Sequence, residues 1–357
     1  MPKILYIVQK YDYGIRELGF SFEHYNFYNT LINMNNASNK VIYFPFDEIS
    51  QRIGRDQTNK RLLEIVDKEK PDLCFFSIFE DEYKKEIIKE ITQKGAITFN
   101  WFTDDRWRVD NFSKYWAPCF RWISTTEKSA LNKYRKLGYK NIIKTQFGCN
   151  HFLYKPLSLP KIYDVTFVGQ PHGNRKNIIK KIKKAGINVE CWGRGWPNGR
   201  ISQEKMIQIF SQSKINLNFA RCSSKISLKS IAGIFLNRGK NKSIKTIRIN
   251  NPKKWINNLK SFLEKQKNQI KGRNFEIPGC AGFFLTDHAD NLEDYYEIGK
   301  EIICWKNSND LIDKIRYYLE NEKEREAIAR AGYERTLRDH TYEKRFNEIF
   351  KIIGLIK

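Results

Sequence analysis

Short apolar runs separated by helix-length stretches recur along this 357-residue chain, and that alternation constrains the fold more than any other feature. Residues 3–9, 41–46, 72–78, 96–102 and 122–124 read as buried strands. Residues 21–34, 61–69, 82–94 and 127–137 read as the helices between them. Gly95 and Gly138 stand where a helix C-cap needs a left-handed residue. This is βαβ spacing, which predicts a parallel sheet with helices on both faces. The pattern breaks at residues 147–160, around Pro156 and Pro160, and then restarts. Strands are expected at 165–168, 189–192, 215–219, 282–286 and 302–305, with helices at 174–184, 310–319 and 322–331. The length suits about two domains, and they fall at 1–150 and 151–340. In residues 341–357, Tyr342, Phe346, Ile349, Phe350 and Ile353 share one helical face. That helix is expected to cross back onto the first domain.

Hydrophobic residues make up 41% of the chain and charged residues 29%. The balance excludes a disordered, collagen-like or low-complexity protein. No apolar run reaches the roughly 18 residues of a membrane-spanning helix. Residues 1–8 lack the long apolar segment and cleavage site of a signal peptide. The seven cysteines are widely spaced without a CxxC, and the five histidines are dispersed. The expectation is a cytoplasmic protein with reduced thiols and no metal site.

Lysine and arginine total 64 against 40 acids, a net charge of +24. Such an excess suits an anionic partner, although AT-rich coding DNA also enriches lysine. The charge is concentrated: residues 221–271 hold 14 basic residues and one acid, Glu264. This basic insert, 221–267, interrupts the second domain. A nucleic-acid site needs stacking aromatics among its cations, and the insert offers only Phe235, Trp255 and Phe262, so no nucleic-acid partner is expected. Ile231, Ile234, Phe235 and Leu236 beside so many cations suit an anionic membrane surface. A solvated lid or an acidic partner's interface are the alternatives.

Doubly wound domains bind ligands at the carboxyl ends of their strands. Four clusters are expected there. The first is the loop from Lys10 to Glu23, where Gly14 and Gly19 would let backbone approach a ligand; the alternative is an ordinary βα loop. In the second, Asp104 and Asp105 follow a strand and precede Arg106-Trp107-Arg108. The pair suits a general base, a sugar-hydroxyl acceptor, a metal site or a helix cap. The third is Gly169-Gln170-Pro171-His172-Gly173-Asn174-Arg175-Lys176, a turn with two cations at a helix start, suited to phosphate. It has no GK[ST], so it is not a Walker motif. The fourth runs from Gln269 through Lys271, Arg273 and Glu276 to Pro278-Gly279 and the strand after it. Its carboxylate can accept ribose hydroxyls while its cations face phosphates.

The fourth cluster resembles the signature of the GT-B glycosyltransferases of the "glycosyl transferases group 1" type, related to spore-maturation glycosyltransferases. The similarity extends through Asp294-Tyr295-Tyr296-Glu297-Ile298-Gly299-Lys300-Glu301, residues 311–319, Ala329-Arg330-Ala331-Gly332-Tyr333, His340-Thr341-Tyr342 and Arg345. The opening segment and Phe102-Thr103-Asp104-Asp105 look like the same group. The resemblance implies an α/β GT-B architecture, two Rossmann-like domains facing a central cleft. It implies a UDP- or GDP-sugar co-substrate in the second domain and no other cofactor. Glu276 matches the ribose-binding carboxylate, and Lys271 and Arg273 the cations before it. Arg175 and Lys176 lie where relatives hold the diphosphate, with Gly169 and Gly279 shaping the donor site. Asp104, with Asp105 beside it, lies where relatives carry a catalytic or sugar-contacting residue. Gly14, Gly19, Glu23 and Arg106 fall on the acceptor side. The implied acceptor is a glycan, a lipid-linked sugar or a protein, in cell-surface glycoconjugate synthesis, with a possible place on the inner membrane face. One departure is that Asn268 and Gln269 stand where many retaining relatives carry a second glutamate. A non-catalytic GT-B-like scaffold and a nucleic-acid-binding basic protein are the competing readings.

Overall fold

The computed structural model describes residues 2–34, 39–220, 228–238 and 247–357. The chain divides into two compact units, Met1–Leu153 with Thr341–Lys357, and Tyr154–His340.

The first unit holds six parallel strands: β1 (Lys3–Ile7), β2 (Lys40–Tyr43), β3 (Leu73–Phe76), β4 (Ile97–Phe102), β5 (Trp122–Thr125) and β6 (Ile142–Lys144). Their order is β2-β1-β3-β4-β5-β6. The period of two divides their side chains between two cores. Leu5, Ile7, Cys74 and Phe76 join one; Ile4, Tyr6, Leu73, Phe75, Phe99 and Trp101 join the other. The helices are α1 (Asn29–Asn33), α2 (Phe46–Glu69), α3 (Lys85–Gln93), α4 (Asp105–Arg108), α5 (Lys114–Trp116) and α6 (Lys128–Lys136). A π-helical turn, His24–Tyr28, leads into α1. The closing helix, Tyr342–Ile352, belongs to this unit. Its Tyr342, Phe346, Ile349 and Phe350 are buried in the core with Phe27, Phe75 and Trp101.

Three details depart from the sequence reading. Phe46 starts α2 instead of ending β2. The Asp47 carboxylate in that first helical turn accepts Lys10 N (2.8 Å) and Tyr11 N (2.9 Å), which fixes the helix start. The helix is interrupted at Gly54, whose φ of 76° only glycine adopts readily. The three-residue β6 is an addition to the expected strands.

The second unit has parallel strands β7 (Tyr163–Val168), β8 (Val189–Trp192) and β9 (Ser213–Asn218). A small antiparallel ribbon, β10 (Leu236–Arg238) and β11 (Ile247–Ile249), lies in the basic insert. Strands β12 (Phe284–Asp287) and β13 (Ile303–Trp305) complete the main sheet, ordered β13-β12-β9-β7-β8. Its helices are α7 (Arg175–Lys184), α8 (Gln203–Gln212), α9 (Leu228–Phe235), α10 (Pro252–Glu264), α11 (Arg273–Gly279), α12 (Ser308–Glu320) and α13 (Glu322–Asp339). Helix α8 is another addition, with Ser202 Oγ capping Lys205 N at 3.2 Å. One layer of this sheet is polar but satisfied. Thr166 Oγ1 bonds Ser213 Oγ (2.8 Å), and Asn218 Nδ2 donates to Thr286 Oγ1 (3.1 Å). Helix α13 approaches the chain closely at Gly332, where a Cβ would collide with the carbonyl of Glu301.

Six cysteines are free thiols, all but Cys304 buried. Cys222 and much of the insert's charge, in 221–227 and 239–246, lie outside the described residues. Among the described residues no helix is long and apolar enough to cross a membrane.

Candidate functional site

In the second unit, the carboxyl ends of β7, β9 and β12 bring together Gly169, Arg175 and the segment that carries Lys271, while Arg273, Glu276 and Gly279 lie on α11. Gly169 follows β7. Its carbonyl accepts Trp196 Nε1 at 2.8 Å, and its amide donates to Trp192 O at 2.8 Å. A Cβ at Gly169 would lie 2.8 Å from the Phe167 ring, and one at Gly193 would lie 2.5 Å from the Gly169 carbonyl. Gly193 therefore lets the ends of β7 and β8 close on each other, and Gly169 leaves room for the Phe167 ring.

Arg175 opens α7. Its guanidinium donates to Gln170 O (2.9 Å) and Phe219 O (2.8 Å) and lies over the rings of Phe167 and Phe219. It ties the loop after β7 to the end of β9. Two of its five N–H donors are thereby committed to carbonyls. Lys176 beside it is exposed.

Asp287, at the end of β12, was not singled out by the sequence, although a carboxylate directly after Phe284-Leu285-Thr286 is the available signal. It is 9% exposed and accepts Ala220 N at 2.5 Å. Burial raises its pKa, opposed by that amide and by the charge of Arg175. The segment before α11 reaches the same edge: Gln269 N donates to Ala220 O (3.0 Å), and Asn268 Nδ2 donates to His288 O (2.5 Å). Lys271 Nζ bonds Gln269 Oε1 at 3.1 Å.

In helix α11, Pro278-Gly279, a pair that ordinarily makes a separate turn before a strand, forms the last turn instead. The reversal comes at Ala281, with φ of 52°. Glu276 has no solvent exposure and pairs with Arg273 one turn before it. The Arg273 guanidinium also lies 5.6 Å from the Phe210 ring, and desolvation lowers its pKa. Asn274, equally buried, accepts Lys271 N at 3.0 Å, while its Nδ2 makes no hydrogen bond. Phe275 packs against Tyr295, Tyr296 and His340, which holds this short helix in place.

In the first unit, the loop after β1 is a self-bonded knuckle. Tyr11 bridges Phe20, Asp12 N donates to Gly19 O, and Gln51 Nε2 donates to Gly14 O. Gly14 and Gly19 have φ of 68° and 80°. Their amides donate to Tyr11 O and Arg16 O inside the loop. The two glycines therefore shape it and do not offer those amides to a ligand. The loop exposes Tyr13, Ile15 and Phe20. Glu23 lies beneath it, buried, with its pKa pushed up to about 7 by desolvation. Next to it, His24 stacks on Phe20 at 4.1 Å, and burial lowers its pKa to about 4.

The aspartate pair is split by its backbone. Asp104 is half-buried with φ of 58°, and its carbonyl accepts Trp107 N and Arg108 N, both at 3.1 Å. Asp105 is fully buried. It accepts Ser113 Oγ (2.6 Å) and Tyr134 OH (2.9 Å), and burial raises its pKa to about 6. With both oxygens bonded it braces the loop and does not face solvent. Arg106 is also buried, 3.9 Å from Glu127.

Residues 175–351 match the family described as glycosyl transferase-like. The chain is 23% identical over 253 residues to the spore protein CgeB of Bacillus subtilis, covering 70% of this chain and 73% of that protein. A sucrose-phosphate synthase from Thermosynechococcus elongatus superposes with a TM-score of 0.60 at 9% identity, over 99% of this chain and 100% of the other. The Anabaena protein HepE, solved in complex with UDP-glucose, gives 0.56 at 10% identity, with both chains fully covered. Residues 175–351, about half of the chain, are thus similar to the glycosyl transferase-like family, and the fold is that of the GT-B glycosyltransferases.

Proposed function

We propose that the chain is a glycosyltransferase that takes a sugar from a UDP- or GDP-sugar bound by its second unit. The acceptor is a glycan, a glycolipid or a protein, in cell-surface polysaccharide or glycoconjugate synthesis. The observation that carries the donor half is the fully buried Glu276 paired with Arg273, beside Lys271. An ionised carboxylate is costly to bury unless a partner balances it. In this reading Glu276 accepts the ribose hydroxyls, and Arg273, Lys271 and Lys176 face the diphosphate. Gly169 and Gly279 shape the backbone around them, and Arg175 holds the loop after β7. The cations stabilise the departing nucleoside diphosphate without a metal. HepE, which shares the fold, was solved with UDP and with UDP-glucose, and this supports the donor class.

On the acceptor side, Asp104 is the carboxylate for sugar transfer, with Asp105 and Arg106 positioning its loop. Gly14 and Gly19 present Tyr13 and Phe20, and Glu23 supports that loop from below. A lipid-linked acceptor also accounts for the basic insert and has the enzyme work at the cytoplasmic face of a membrane.

Glu276→Ala tests the donor assignment. Each hydrogen bond to a charged group contributes about 1.5–3 kcal/mol, so calorimetry should show nucleotide diphosphate affinity about tenfold lower or worse. Unchanged affinity in a folded variant refutes it. Thermal stabilisation across a nucleotide-sugar panel identifies the base and sugar.

A further inference from the structure

The basic insert carries an exposed apolar face as well as charge. Helix α9 packs on α10, with the Phe235 ring 5.2 Å from that of Trp255 and Asn258 Nδ2 donating to Ile234 O at 3.0 Å. Ile234 and Ser261 are buried in this small assembly. On the outer side of α10, Ile256, Leu259 and Leu263 recur at i, i+3 and i+7, and they are 60%, 46% and 54% exposed. Ile249, at the end of β11, is 77% exposed. Lys254, Lys260 and Lys267 are exposed along the same segment.

We infer that the Ile256–Leu259–Leu263 face of α10 inserts into the headgroup region of an anionic bilayer while the surrounding lysines bind its phosphates. This deepens the lipid-linked acceptor reading, and it rests on that reading for what the membrane supplies. Three features single out this occupant. An aliphatic stripe flanked by lysines is the pattern of an interfacial helix. The net charge of +13 over residues 221–271 complements an anionic surface. It also opposes a symmetric contact, which would bring two copies of the same cationic face together. Nucleic acid needs planar stacking groups, whereas the outward side chains here are aliphatic.

The two components separate by salt. Electrostatic attraction weakens as salt screens it, whereas burial of aliphatic side chains does not. The test is flotation of the full-length protein with phosphatidylcholine vesicles, with and without phosphatidylglycerol, at low and high salt. Wild type should float only with the anionic vesicles and keep part of its binding at high salt. The triple variant Ile256→Ser, Leu259→Ser, Leu263→Ser should bind about tenfold more weakly or worse, and its residual binding should vanish at high salt. Lys254→Glu with Lys260→Glu should weaken recruitment at low salt. These positions are at the surface, and circular dichroism verifies that the variants fold. The inference is overturned if the triple variant floats like wild type, or if wild type ignores anionic vesicles at low salt. It is also overturned if the stripe instead mediates a dimer that the serines abolish without vesicle recruitment. Thermal stabilisation by nucleotide sugars is measured on the same samples. A protein that floats but responds to no nucleotide sugar keeps the membrane surface and loses the donor reading.

Discussion

Glu23 illustrates how a single buried side chain sets a pH dependence. Its carboxyl holds a proton up to about pH 7 in the folded chain because burial disfavours the charge, against an ordinary value of 4.5. Between those values the folded state binds more protons than the unfolded one, so stability falls as pH rises. A gap of this size corresponds to about 3 kcal/mol lost across that window. Glu23→Gln should flatten the dependence and stabilise the protein above pH 7, read as the urea midpoint from pH 4 to pH 8. An unchanged slope would show that Glu23 ionises freely. Asp104 and Asp105 differ in the same concrete way. Asp105→Asn leaves Ser113 or Tyr134 without an ionised acceptor, which should cost about 1–3 kcal/mol of stability. Asp104→Asn should stay within about 0.5 kcal/mol of wild type, because asparagine accepts the same left-handed backbone, yet lower sugar transfer. Wild-type turnover in Asp104→Asn, at matched folded fractions, removes Asp104 from the chemistry. The sequence shows two adjacent acids and no means of ranking them. The positive φ of Asp104, which turns one acid out and the next one in, is a tertiary outcome. Arg175 is similar: its carbonyl partner on Phe219 lies 44 residues away.

At the scale of elements, the close packing of α13 against α11 bears on the donor site. Gly332 faces the Glu301 carbonyl and stands 3.8 Å, measured from an added Cβ, from Pro278 of α11. Gly332→Val must push α13 away from the Glu301 carbonyl, and Pro278 of α11 packs against the same spot. Overpacking of this kind costs about 1–3 kcal/mol and should displace Glu276, so nucleotide affinity should fall along with the melting temperature. Affinity retained at wild-type level in a destabilised variant would show that α11 does not depend on α13. Most strands were legible because each is an apolar run set off by glycine, proline or charge. Helix α8 was not, since it ends at Gln212 and β9 begins at Ser213. No breaking residue separates their two periodicities. Strand β6 is three residues long, too short for a period to emerge. On α11, a Pro-Gly pair that usually signals a turn is instead held inside the last helical turn.

At the scale of the whole molecule, the first unit is built from both ends of the chain. Tyr342, Phe346, Ile349 and Phe350 have at most 1% exposure, and Phe346 packs against Phe27, Phe75 and Trp101. Phe346→Ala should therefore cost about 3–5 kcal/mol, even though it lies in the last elements of the chain. Its effect should fall on protection of the β1, β3 and β4 amides against hydrogen exchange, with β7 and β9 spared. Loss of protection in β7 and β9 instead would place the helix's main contribution in the other unit.

The same arrangement governs how the protein emerges from the ribosome. Residues 154–340 are synthesised between the first sheet and the helix that covers one of its faces. At roughly 5–20 residues per second, that interval lasts on the order of 10–40 s. Throughout it Phe75 and Trp101 lack their final cover, while the later unit has all of its own segments before the helix arrives. The first unit therefore has to wait for the second to be made before it can close its core, and in that interval it carries an uncovered aromatic surface.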